Sequence, residues 1–125
     1  GVTGLSQSVF HTASTTDRDV HAALLDRCGS CHRAVGQSGT AGTPNAALVS
    51  SRFVLTGATE GDFNVTLSML SDVTNPPLNA LLSRPASAGT SPVHGTLPIT
   101  GGAIMPVGDS DYNLICNWIR AGFCP

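Results

Sequence analysis

The chain has 125 residues, 41% of them hydrophobic and only 11% charged, with a formal net charge of −2. That balance fits one domain with a modest core, and it excludes a basic nucleic-acid surface and an acidic solvating tail. The six basic side chains other than histidine are all arginines, and no apolar run approaches the roughly 18 residues that a membrane-spanning helix requires.

The opening residues, Gly1-Val2-Thr3-Gly4-Leu5, lack a basic n-region and an apolar h-region. They read as a mature N-terminus after signal removal, so a periplasmic or extracellular location is expected. Residues 1–14 are small and polar with two apolar anchors, Val9 and Phe10, and read as an extended N-terminal arm ahead of a domain covering 15–125. The first helix is predicted from Thr15 or Thr16, either of which can cap it, with Asp17 and Asp19 in its first turn. Val20, Leu24 and Cys28 recur at four-residue spacing with Ala23 alongside. This helix therefore brings Cys28-Gly29-Ser30-Cys31-His32 to its C-terminal end.

Residues 36–45 are rich in Gly, Ser and Thr and read as a loop, followed by a short helical turn over 45–52. A second helix is predicted over 60–73 from Phe63, Leu67 and Leu70, ending before Asn75-Pro76-Pro77. A brief helix over 78–83 stops at Pro85. Residues 85–108 carry many prolines and glycines with no clear period; a loop of that length in a compact domain usually serves function. The last helix is the clearest. Asp109 or Ser110 caps it, Tyr112, Ile115, Cys116 and Ile119 form one stripe that Leu114 and Trp118 widen, and Gly122 ends it. The expected fold class is all-α.

The four cysteines fall into two pairs. Cys116 lies on the last helix, and a turn at Gly122 would let Cys124 reach it, so this pair reads as a disulfide in a small exported domain; two buried thiols are the alternative. Cys28, Cys31 and His32 stand as i, i+3 and i+4, so on a helical turn all three project to one side. Two thiols and an imidazole so placed suit covalent attachment of one haem, the thiols meeting two vinyl groups and His32 meeting the iron. Gly29 and Ser30 keep the turn small beside the ring. A thioredoxin-like pair lacks its βαβ surroundings here, and a zinc site would need Cys116 and Cys124 at non-standard spacing.

The opposite face of the iron has five candidate ligands: His11, His21, Met69, His94 and Met105. His21 sits on the same helix as the attachment motif and is expected at the surface or facing a propionate. Met69 reads as core filler, and His11 reads as exposed. His94 and Met105 both lie in the long loop. Asn79-Ala80-Leu81-Leu82-Ser83-Arg84-Pro85, His94-Gly95, Gly108-Asp109-Ser110-Asp111-Tyr112 and Trp118-Ile119-Arg120-Ala121-Gly122 together resemble a branch of bacterial cytochrome c domains that includes planctomycete-type cytochromes.

That resemblance implies a small cytochrome c-like fold, its N- and C-terminal helices packing around one haem c with long loops between. It also implies His94 as the distal ligand. The chain departs from the family pattern in that Gly95-Thr96 follows His94 and the double glycine comes later, at Gly101-Gly102. Met105-Pro106 resembles the Met-Pro distal segment of ordinary small cytochromes c, so Met105 stands as the alternative ligand.

An iron ligated on both faces has no open position, which favours electron transfer over catalysis. The expectation is therefore an electron carrier and not an enzyme. A haem enzyme or ligand-binding haem protein whose axial position opens is the alternative. Expected partners are other redox proteins or copies of this chain, without nucleic acid. A lysine-free, weakly charged exterior lacks the ring of charge that steers diffusing cytochromes. It fits a subunit of a redox complex, or a unit in a haem-bearing homo-oligomer or polymer.

Overall fold

The computed structural model describes residues 4–12, 17–29, 32, 53–86 and 104–125. The chain clusters into two compact units, Ser6–Ser68 and Gly1–Leu5 with Met69–Pro125. The predicted turn over 45–52 and the loop over 36–45 lie outside the described residues, as does most of 85–108. Among the described residues there is no strand, and no helix is long and apolar enough to cross a membrane. The fold class is all-α.

In the first unit, part of the predicted extended arm is helical. Ser6 caps a short helix, α1 (Gln7–Phe10), its hydroxyl accepting from the Val9 amide at 3.4 Å. One anchor seats and the other does not: Phe10 is fully buried, while Val9 is 53% exposed. The Phe10 ring stacks on His21 at 5.2 Å and meets Phe63 edge-on at 5.4 Å.

Helix α2 (Val20–Arg27) begins later than the threonines predicted, because Asp19 is the cap. Its Oδ1 accepts from the Ala22 amide at 2.7 Å and its Oδ2 from the Thr12 amide at 3.1 Å. One carboxylate thus satisfies an orphan helix donor and ties the residue after His11 to the helix start. Val20, Ala23 and Leu24 are buried as the periodicity requires, and His21 is buried with them.

Helix α3 (Thr59–Ser68) is shorter than predicted. Its inward face is Asp62, Phe63 and Thr66, two of them polar. Thr66 satisfies its hydroxyl by donating to the Asp62 carbonyl one turn back at 2.6 Å. Leu67 is only half-buried. The helices α1, α2 and α3 touch pairwise.

The second unit explains why the helix predicted to Val73 stops early. The amides of Ser71 and Asp72 do not reach back along a helix; both donate to the Asn79 Oδ1, at 2.7 and 2.9 Å. The Asn79 amide group donates in turn to the Asp72 and Pro76 carbonyls, at 2.7 and 3.0 Å. A fully buried asparagine so satisfied fixes the loop in one shape. The loop closes on a 3₁₀ turn (Pro76–Leu78), and α4 (Ala80–Ser83) follows, burying Leu81 and Leu82.

Helix α5 (Ser110–Ile119) packs on both of them. Asp109 caps it, accepting from the Asp111 amide at 2.8 Å. Tyr112, Ile115, Cys116, Trp118 and Ile119 form the buried face, as the stripe predicts. Beyond the helix, Gly122 adopts φ 77°, a left-handed conformation that glycine takes without strain. The turn carries Cys124 back to Cys116 with Cα atoms 6.1 Å apart, and the two form a disulfide. The Asn117 side chain holds the returning strand, accepting from the Cys124 amide at 2.9 Å.

Candidate functional site

The Cys28–His32 segment begins where α2 ends. Cys28 is the C-cap, its amide donating to the Leu24 carbonyl at 2.8 Å, and Gly29 continues the turn to Leu25 at 3.1 Å. The His32 amide then donates to the Cys28 carbonyl at 2.8 Å. That bond is the i to i+4 bond of a helix, so Cys28 and His32 lie one above the other on a single helical turn. Cys28 is half-buried. Cys31, between them in the chain, lies outside the described residues.

The His32 imidazole is 92% buried, at 8% exposure. Its Nδ1 lies 2.7 Å from the Phe53 carbonyl oxygen. A carbonyl can only accept, so Nδ1 carries the proton and donates, and the lone pair of the neutral ring resides on Nε2. The backbone holds the residue a second time, because the Leu55 amide donates to the His32 carbonyl at 2.6 Å. Phe53 adds its ring, 5.2 Å from the imidazole and tilted by 56°. Phe53 and Leu55 are themselves buried, which anchors the segment that clamps the histidine.

A metal-ligating histidine is commonly fixed this way, with its second nitrogen donating to a carbonyl that sets the tautomer and orients the ring. The residues thus fit an axial role for His32 and a thioether role for Cys28. The sequence indicated the histidine but not its clamp, since a backbone carbonyl at Phe53 leaves no side-chain signal.

The distal candidates divide. His94 lies outside the described residues. Met105 is fully buried, its amide donating to the Pro85 carbonyl at 3.0 Å. It is followed by a tight turn in which the Asp109 amide donates to the Pro106 carbonyl at 3.0 Å and Gly108 takes φ 91°. Met69 is half-buried rather than core filler.

The expectation that His21 sits at the surface is corrected: its side chain is 4% exposed and its Nε2 is 2.7 Å from Asp62 Oδ2. His11 is half-exposed, and its Nδ1 is 3.1 Å from Asp19 Oδ2. Neither pairing was legible, because the partners are 8 and 41 residues away in sequence. One weak signal existed for His21: it adjoins Val20 on a helix whose apolar stripe also takes Ala23 and Leu24.

Asp62 accepts four hydrogen bonds. Besides His21, it accepts from the Thr56 amide at 2.7 Å, the Thr56 hydroxyl at 3.1 Å and the Gly57 amide at 2.9 Å. Burial pushes its pKa up, but the hydrogen bonds from Thr56, His21 and Gly57 outweigh that and hold it below the usual aspartate range. It is ionised at neutral pH, so the His21 Nε2 carries the proton between them.

No group of three or more His, Cys, Asp and Glu side chains converges as a metal cage among the described residues. Comparison with protein-family models, curated proteins and solved structures finds no match for this chain.

Proposed function

We propose that this chain is a monohaem c-type cytochrome that carries electrons and is not an enzyme. The observation that supports this most is the held histidine: a buried His32 whose Nδ1–H is committed to the Phe53 carbonyl, one helical turn from Cys28. Cys28 and Cys31 would hold haem c through two thioether bonds, and His32 Nε2 would take one axial position of the iron. The group supplies a reversible one-electron couple between ferric and ferrous iron.

The chain's contribution is to fix that couple. The Phe53 carbonyl orients the imidazole and increases its basicity, which favours the ferric state. Burial of Phe53, Leu55 and His32 would keep water from the side of the group that His32 holds. His94 is the proposed second axial ligand, on the resemblance to cytochrome c domains, with Met105 as its alternative. A thioether there would raise the potential, and a second imidazole would leave it lower.

A periplasmic or extracellular location is proposed with this reading, because the Cys116–Cys124 disulfide suits an oxidising compartment. The weakly charged, lysine-free chain suits a lasting assembly, either a redox complex or an oligomer of this chain, better than a steered shuttle.

The test is spectroscopic. Purified protein should show a six-coordinate, low-spin iron in both redox states, with a reversible potential and no change on adding carbon monoxide. Carbon monoxide binding to the native reduced protein would overturn the carrier reading in favour of a haem enzyme or ligand-binding protein. Near-infrared magnetic circular dichroism of the oxidised protein identifies the distal ligand. Bis-histidine ligation lost only in His94→Ala is expected, and a His/Met signature lost only in Met105→Ala would transfer the role to Met105.

A further inference from the structure

Two histidines of the first unit take no part in the proposed haem site, and each is backed by a carboxylate. His21 is buried in α2, and its Nε2–H donates to Asp62 Oδ2 at 2.7 Å. His11 follows α1, and its Nδ1 is 3.1 Å from Asp19 Oδ2. The two rings lie side by side, with centroids 5.1 Å apart and planes at 89°. In each ring one nitrogen is therefore committed to a carboxylate. The other nitrogen makes no hydrogen bond to any described residue. Both rings line one open cavity of about 340 Å³, whose wall also includes Asp17, Leu25 and Thr59.

A carboxylate behind an imidazole fixes the tautomer and makes the far nitrogen a better ligand; the carboxylate–histidine–zinc arrangement uses this pairing. The ring spacing is compatible with it, as it is with an ordinary edge-on ring contact. Two imidazoles on one tetrahedral zinc, at Zn–N bonds of about 2.0–2.1 Å, have centroids about 5 Å apart. Phe10 stacks on the His21 ring and Asp62 is held by three donors besides His21, so the buried ligand is preorganised.

We propose that His11 Nε2 and His21 Nδ1 form a two-histidine site for a divalent transition metal of the zinc class. Water completes its coordination from the open cavity. Two protein ligands are half the complement of a structural zinc site, so the metal binds reversibly and does not hold the fold. The site joins the residue that follows α1 to α2, both within the first unit. It is independent of the haem.

The test is isothermal titration of the full-length protein with zinc chloride near neutral pH. One zinc per chain is expected, with two imidazole nitrogens per zinc in the X-ray absorption spectrum of the complex. His11→Ala changes a half-exposed side chain, so the protein remains folded by circular dichroism. It should weaken binding by more than about 10-fold, the lower bound for losing even an outer partner of a ligand. Absence of binding at millimolar zinc would overturn the proposal, as would full affinity in His11→Ala.

Discussion

At the scale of single residues, the chemistry of this chain depends on how imidazoles are held. The spacing of His32 from two cysteines is distinctive in the sequence, while the Phe53 carbonyl that orients the ring is backbone and leaves no trace. His21 shows the opposite failure. Its place on α2 suggests a residue at the surface or facing a propionate, but a buried carboxylate from α3 satisfies its Nε2–H, so that donor can be enclosed without being orphaned.

Two predictions belong at this scale. His32→Ala should retain covalent haem through the cysteines but lose low-spin character and bind carbon monoxide when reduced, as read by the visible spectrum. Asp62→Asn removes a fully buried anion that four donors address, and should destabilise the fold by about 3 kcal/mol at neutral pH by denaturant unfolding. The Asp62 pKa is depressed in the folded state. Its contribution is complete above the usual aspartate value of 3.8 and is lost as pH falls through the lower folded value. The stability gap between wild type and Asp62→Asn should therefore narrow on acidification below that value. A gap independent of pH would show that the carboxylate charge is not what matters.

At the scale of elements, local signals performed best where they were redundant. Helix α5 carries a cap at Asp109, an apolar stripe and a terminating Gly122, and it appears where those signals place it. Its disulfide follows from the Gly122 turn. The misplaced start and stop each trace to a side chain that took backbone donors. Asp19, rather than a threonine, caps α2 because it also binds Thr12. Asn79 captures the amides of Ser71 and Asp72 and so ends the run that periodicity extends to Val73. Phe10 was marked as an anchor, but α1 around it was not, since four residues are too few for a period to show.

Asp19→Ala should cost about 1 kcal/mol from the lost cap, together with the tether to Thr12. Replacing Cys116 and Cys124 together by serine should cost about 2.5 kcal/mol, the loop-entropy value for so short a closure. Chemical denaturation of each variant measures both, and an unchanged midpoint in the double serine variant would show that the cross-link does not stabilise the fold.

At the scale of the whole molecule, composition set the class: few charges, no lysine, no apolar span and an all-α plan are each visible in the sequence. A net charge of −2 with dispersed arginines provides little field for steering. Electron exchange with a redox partner should accordingly change less than about 10-fold between low and physiological salt by stopped-flow mixing, where steered pairs change steeply. A steep salt dependence would restore the picture of a diffusing shuttle docked by charge.

The central claim is that Cys28, Cys31 and His32 hold one haem, and covalent stoichiometry tests it most directly. The chain is expressed in cells with c-type haem attachment machinery, purified, and measured by pyridine haemochrome absorbance and intact mass after acid–acetone extraction. One haem per chain that resists extraction, and that disappears when Cys28 and Cys31 are both changed to serine, is the predicted result. A chain of unmodified mass from cells that mature other c-type cytochromes normally would contradict it.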